Sequence, residues 1–250
     1  MNKKAKDLGL KNSHFVTPHG LDKEEHYTTA YELALITDYA LNIEKFAEVV
    51  NTKTYTVNIN GRSKNIRNTN ELLGYLNGVN GVKTGFTNGA GRCLITSVNR
   101  NGFNIITVVL GADTKRIRTK DSINLIEYIY SNYEQVNLEE LINEKYEEWI
   151  RINKKRINVY KARNKSIEIK LEDYNYKSYP VNKDEINNIN IDIKNIKLDF
   201  EAPVEENEKI ADVVLNIGNK KIIETRIVID NEIARKDIKF YFRQIMSNFI

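Results

Sequence analysis

Apolar positions along the first half of the chain change period several times, and each change marks an element. The opening segment through Leu8-Gly9-Leu10 reads as the end of a helix stopped by glycine, followed by an irregular stretch, Ser13 to Asp22. Behind Thr29-Ala30-Tyr31-Glu32, a capping box, Leu33, Ile36, Tyr39, Ala40 and Ile43 recur at helical spacing, which predicts an amphipathic helix from about Ala30 to Leu41. Tyr55 to Ile59 then alternates and turns at Asn60-Gly61. After the segment that contains Lys83, two further alternating runs, Arg92 to Val98 and Phe103 to Leu110, are joined across Arg100-Asn101-Gly102, a favoured tight-turn sequence. Three adjacent antiparallel strands follow from this pattern. A helix from about Thr119 to Tyr133, with Ile123, Ile126, Tyr130 and Tyr133 on one face, suits covering that sheet.

From about Leu138 the texture shifts to short alternating runs: Ile157 to Tyr160, Ser166 to Leu171, Ile189 to Phe200, Val213 to Ile217 and Ile222 to Ile229. Short strands between turn signals predict a small all-β domain. The last stretch, Ile233 to Ile250, sets Ile238, Tyr241, Phe242, Ile245 and Phe249 on one helical face, with Arg235, Lys236, Lys239 and Arg243 around it. It is too charged to span a bilayer, which leaves two readings: a helix lying on an anionic surface or one docked on the protein.

Composition narrows the classes. A chain of 250 residues with 41% hydrophobic residues supports one sizeable core or two modest ones. The balance of 38 bases to 34 acids, +4 overall, is spread along the chain and indicates no nucleic-acid partner. The single cysteine, Cys93, excludes an internal disulfide and any multi-cysteine metal site. His14, His19 and His26 lie close together at spacings that match no zinc pattern, so no metal and no cofactor is expected. The amino terminus is basic but lacks the apolar run and small-residue cleavage site of a signal peptide.

The chemistry centres on Lys83-Thr84-Gly85, on the first of the three predicted strands and preceded by Gly78 and Gly81. On its own the tripeptide is equally an ordinary strand end. In serine acyl-transferases that bind penicillin such a strand forms one wall of the active site. There a lysine ammonium supplies positive charge beside a substrate carboxylate, and a threonine hydroxyl donates to it. The glycine lets a ligand backbone approach the strand edge, and the N–H of Phe86 serves as half of an oxyanion hole.

The run His14-Phe15-Val16-Thr17-Pro18-His19-Gly20-Leu21-Asp22, then His26 to Ala34, then Asn68-Thr69-Asn70-Glu71-Leu72-Leu73, then Gly78 to Leu94 resembles the low-molecular-weight D-alanyl-D-alanine carboxypeptidases, segment by segment in order. The resemblance covers residues 1 to about 135, and Leu198-Asp199-Phe200-Glu201-Ala202-Pro203-Val204 is similar to that family's carboxy-terminal β domain. It implies an α/β fold with an incomplete β-lactamase/transpeptidase-like domain, an antiparallel sheet covered by helices, over 1–136. A small all-β domain over 137–232 and a basic amphipathic tail over 233–250 complete the implied organisation. By the same resemblance Lys83, Thr84, Gly85, Thr87 and an arginine at the start of the following helix bind substrate; Arg118 fits by spacing and Arg116 is the alternative.

What the resemblance implies is removal of the terminal D-alanine from peptidoglycan stem peptides ending in D-Ala-D-Ala, through an acyl-serine that β-lactams trap in the full-length parent. That parent would be extracytoplasmic and membrane-associated, its tail meeting a membrane surface. The reaction needs a serine with a lysine three residues later, and no Ser-x-x-Lys occurs in the sequence. Ser97-Val98-Asn99 and Ser122-Ile123-Asn124 match the family's Ser-x-Asn element only formally, because that element precedes the lysine motif. The expectation is therefore that the signal peptide, the serine-lysine helix and the Ser-x-Asn loop lie upstream of Met1, and that the chain alone is inactive. The rival from another class is a non-catalytic protein that binds peptidoglycan or a partner. A class A β-lactamase, a third reading, shares Lys-Thr-Gly but carries neither β domain nor tail.

Overall fold

The computed structural model describes residues 1–164 and 166–247, and the chain divides into two units after Ser131. In the first unit α1 (Asn2–Asp7) ends before Gly9, whose φ of 73° turns the chain away from the helix. Helices α2 (Ala30–Leu41) and α3 (Glu44–Asn51) precede a hairpin of β1 (Thr54–Ile59) and β2 (Arg62–Arg67). Asn60 and Gly61 both take positive φ there, as a tight two-residue hairpin turn requires. Strands β3 (Val79–Thr87), β4 (Gly91–Arg100) and β5 (Phe103–Ala112) form an antiparallel sheet in that order. The three neighbouring strands expected from alternation are thus present, with the lysine motif on the outer one.

Helix α4 runs Lys115–Asn132, four residues earlier than its apolar stripe suggests, because the Thr114 hydroxyl accepts the N–H of Ile117 and starts the helix. Tyr133, read from the sequence as its last turn, belongs to the next strand instead. The helix lays Ile126 over Leu94 and Val98 of β4, and Leu72, Leu73 and Val79 complete this core. Tyr130 donates its hydroxyl to the carbonyls of Val98 and Phe103, anchoring α4 to both strands. Helix α2 lies against β5 and α3 against β3.

The second unit opens with β6 (Tyr133–Asn137) and α5 (Leu138–Asn153). Alternation did not announce α5. Its signal is different: Asn137 caps it by accepting the Glu140 N–H, and Leu138, Ile142 and Trp149 recur on its buried side. The strands β7 (Asn158–Tyr160), β8 (Ile169–Leu171), β9 (Ser178–Asn182), β10 (Ile189–Lys194), β11 (Asp199–Glu201), β12 (Lys209–Ile217) and β13 (Lys220–Ile229) follow. The run Ile189 to Phe200 splits into β10 and β11 because Asn195, at a φ of 54°, turns the chain between them. The main sheet is antiparallel in the order β10-β12-β13-β8, β11 pairs with β7 and β6 with β9. Its core collects Ile210, Leu215, Ile227 and Ile229 from the sheet with Leu138, Ile142 and Trp149 from α5.

The terminal helix, α6 (Ile238–Ser247), starts later than the stretch from Ile233 suggests, since Ile233 is buried in a bridge to Val204. Of the apolar face read from the sequence, Ile238, Tyr241, Phe242 and Ile245 are exposed, and Phe249 lies outside the described residues. Among the described residues no helix is long and apolar enough to cross a membrane.

Candidate active-site wall

Strand β3 is two strands in one. Its first half, Val79 to Val82, is packed, whereas Lys83, Gly85 and Phe86 are exposed. The change has a structural cause in the segment that runs beside it. Buried Asn70 donates its amide to the Gly81 carbonyl at 2.8 Å and accepts the Leu72 N–H at 3.1 Å, so the edge of the first half is covered. Beyond Gly81 no strand among the described residues pairs with that edge, and β4 occupies the other. An open edge with exposed glycine is where an extended ligand can add as a further strand. A Cβ built on Gly85 would meet only the Cys93 side chain, at 3.6 Å, so nothing in this chain excludes a side chain there and the space is left to a ligand. Gly78 is different: at φ +81° its Cβ would fall 2.4 Å from the Asn99 carbonyl, so only glycine lets the chain enter β3 beside β4.

The predicted side chains occupy this edge as follows. Lys83 is exposed, its ammonium donating to the Thr84 carbonyl. The Thr84 hydroxyl lies 2.7 Å from that of Thr69, which the 68–76 segment delivers to the strand. The Thr87 hydroxyl accepts the Ala90 N–H at 2.9 Å and closes the β3–β4 turn. Phe86 is 52% exposed and carries the Arg92 guanidinium 3.7 Å over its ring. The structure thus brings Lys83, Thr84, Gly85, Phe86 and Thr87 to one open edge, and adds Thr69, to which the sequence reading gave no role.

Arg118 sits elsewhere in the network. It is 3% exposed, pairs with the Glu71 carboxylate and reaches the Cys93 carbonyl at 3.5 Å. Because Cys93 is the register partner of Gly85, the guanidinium lies behind the Lys-Thr-Gly strand rather than on its open edge. Its Nε is buried without a hydrogen-bond partner. Burial pushes the Glu71 carboxyl up, but donors from Thr119, its own backbone N–H and Arg118 outweigh that and hold it below the ordinary carboxylate value. Arg116, the alternative, is exposed on a groove with Lys115, Lys120 and Tyr75. Glu71 was legible only as part of a quoted segment, with nothing in its spacing to announce an arginine 47 residues on.

Glu32 also departs from its expected part. Thr29 caps α2 by accepting the Glu32 N–H at 3.2 Å, but the glutamate does not reach back to the cap. It is buried, and its carboxylate accepts the N–H groups of Lys11 and Asn12, each at 2.8 Å, and the Ser13 hydroxyl. Burial pushes this carboxyl up, yet the donors from Ser13, Asn12 and Lys11 win and hold it below its ordinary value. Glu32 thereby fixes the start of the irregular loop 13–28. That loop meets the β3–β4 turn where Gly89 N donates to the Asp22 carboxylate at 3.2 Å. Its histidines hold it together: His26 Nδ1 faces the N–H groups of Val16 and Thr17, His19 Nδ1 accepts from Leu21 N, and His14 Nδ1 meets the Glu25 carbonyl. The two Ser-x-Asn matches are structural, Ser97 buried in β4 and Ser122 bonded to the Arg118 carbonyl in α4.

An exposed Lys-Thr-Gly on the outer strand of a helix-covered antiparallel sheet is the arrangement that penicillin-binding acyl-transferases use as one wall of their site. Residues 1–114 match the family described as D-alanyl-D-alanine carboxypeptidase, and residues 150–235 match the penicillin-binding protein 5 C-terminal domain. D-alanyl-D-alanine carboxypeptidase DacF of Bacillus subtilis is 28% identical over all of this chain and 61% of its own length. DacC of Escherichia coli is 39% identical over 54% of this chain and 34% of its own. The crystal structure of penicillin binding protein 5 from Haemophilus influenzae shares the fold, with a TM-score of 0.65 at 23% identity over 94% of this chain and 64% of that one. Family models thus match both parts of this chain, and the relatives it resembles are D-alanyl-D-alanine carboxypeptidases. It spans 61% and 34% of the two curated relatives named, and these 250 residues contain no Ser-x-x-Lys.

Proposed function

We propose that this chain supplies the substrate-binding wall of a serine D-alanyl-D-alanine carboxypeptidase that trims peptidoglycan stem peptides. The observation that carries this reading is the unpaired edge of β3 from Lys83 to Thr87, where Lys83, Gly85 and Phe86 are exposed and Thr84 and Thr87 half-buried, next to a covered half-strand. A stem peptide ending in D-Ala-D-Ala adds to that edge as a short strand. Lys83 supplies positive charge, Thr84 donates its hydroxyl to the terminal carboxylate while Thr69 holds it in place, and the Phe86 N–H stabilises the developing oxyanion. Arg118, paired with Glu71, supports the wall from behind the strand, where its guanidinium reaches the Cys93 carbonyl, register partner of Gly85.

Acyl transfer also needs a serine whose proton a neighbouring amine can take, and these residues do not provide that pair. The chain therefore binds at this wall and forms no acyl-enzyme alone. Alpha 6, with Ile238, Tyr241, Phe242 and Ile245 exposed, is the segment that meets an extracytoplasmic membrane surface.

Incubation of the purified 250-residue chain with a fluorescent penicillin tests the catalytic part. The expected result is no covalently labelled band beside a labelled intact carboxypeptidase. A labelled band that survives denaturation refutes the missing nucleophile and moves the reading to a complete enzyme.

A further inference from the structure

The hairpin β1–β2 is built differently from the rest of the unit. Residues 49–70 contain Lys53, Arg62, Lys64 and Arg67 and no aspartate or glutamate. All four cations are exposed, and among the described residues none has an ion-pair partner. Its base is fixed, because Asn68 donates its side-chain amide to the Val50 and Thr52 carbonyls and its N–H to Lys53. The two six-residue strands, about 20 Å long, project from that base.

Register sorts its side chains. Residues directly opposite each other share a face, so Tyr55 with Ile66, Val57 with Lys64 and Ile59 with Arg62 line one side. Tyr55, Ile59 and Ile66 are 61%, 58% and 45% exposed there. The other side is polar, with Thr56 bonded to Asn65 and Ser63 to Asn58. On this face β1 contributes an apolar row, Tyr55, Val57 and Ile59, and β2 sets the cations Lys64 and Arg62 beside its outer two members. A sugar polymer bearing carboxylates fits these two rows. Its rings offer C–H faces to Tyr55, Ile59 and Ile66, and its carboxylates meet Arg62 and Lys64.

We propose that the β1–β2 hairpin binds an anionic glycan. Binding requires no turnover, so the inference goes beyond the acyl-transfer reading and stands or falls separately from it. The test is affinity electrophoresis of the full chain in native gels containing polygalacturonate, neutral dextran of matched length, or neither. Polygalacturonate retards the chain and dextran does not. The exposed double variant Arg62→Gln/Lys64→Gln weakens binding at least tenfold, and Tyr55→Ala weakens it severalfold. The control Lys154→Gln/Lys155→Gln, with the same net charge, binds as before.

Unchanged binding in the Arg62/Lys64 variant overturns the proposal, as does equal loss in the control or equal retardation by dextran. Sedimentation with phosphatidylglycerol vesicles, without polygalacturonate binding, assigns the hairpin to lipid and overturns it too. Circular dichroism of each variant excludes misfolding. Should the double variant misfold, Lys64→Gln alone replaces it, with a smaller loss expected.

Discussion

Strand β3 and the β12–β13 pair are both parts of antiparallel sheets, yet they spend their residues in opposite ways. Along β12 nearly every position from Ile210 to Ile217 is buried or half-buried, and β13 continues this through Ile223, Ile227, Val228 and Ile229. Along β3 burial stops at Val82 and five residues with polar or backbone work follow. The first arrangement buries apolar area on both faces and makes a stable sheet. The second leaves an edge unpaired, which costs packing and gains a place for another chain to pair. With binding proposed for β3 and stability carried by β12–β13, substitutions should separate the two.

The largest effect belongs to the packed pair. Ile227→Ala, at a side chain with no exposed surface, should cost about 2–5 kcal/mol through lost burial and the cavity left behind. Trp149, the only tryptophan, lies in the same core, so its fluorescence in a urea titration reads that loss directly. An unshifted midpoint would remove the distinction between the two regions. Next comes the join between the two halves of β3. Asn70→Ala leaves the Gly81 carbonyl and the Leu72 N–H without their partner and should cost about 1–3 kcal/mol. Hydrogen exchange at the β3 and β4 amides should rise, while the Trp149 transition stays in place.

The effect of Glu32 depends on pH. Its folded value lies below the ordinary one, so its contribution to stability is complete above the ordinary carboxylate range, about pH 4.3, and is lost as pH falls through the depressed folded value. Glu32→Gln should lower the melting temperature at neutral pH and flatten the decline in acid. A parallel shift at every pH would show that the carboxylate is not held by Lys11, Asn12 and Ser13. Smallest of all is Lys83→Ala. An exposed strand-edge lysine should change stability by no more than about 0.5 kcal/mol, while removing the charge proposed to meet a ligand at this edge.

The sheet of the first unit was readable because alternation and the Asn101-Gly102 turn are local signals, and both appear at positive φ as the turn demands. Lys83 to Thr87 were readable because their neighbours occur in family order. Helix α5 was not, since its glutamate-rich face hides a sparse apolar one and its cap, Asn137, sits at the end of a strand. Long-range polar pairs were not readable either. Glu71 with Arg118, Glu32 with the Lys11 and Asn12 backbone and the Ser13 hydroxyl, and Thr69 with Thr84 join segments 15 or more residues apart, and neither period nor propensity encodes such contacts. The sequence names the residues proposed for the wall; only the folded chain shows which polar pairs lie beside them.

The central claim is that the open half of β3 receives a D-alanyl-D-alanine terminus. Titration of an acylated Lys-D-Ala-D-Ala peptide into the isotope-labelled chain, followed by amide resonances, tests it most directly. The predicted result is saturable shifts at Thr84, Gly85, Phe86 and Thr87, absent in Lys83→Ala and absent with an L-Ala-L-Ala terminus. Shifts that ignore both changes, or none at these four residues, would contradict it.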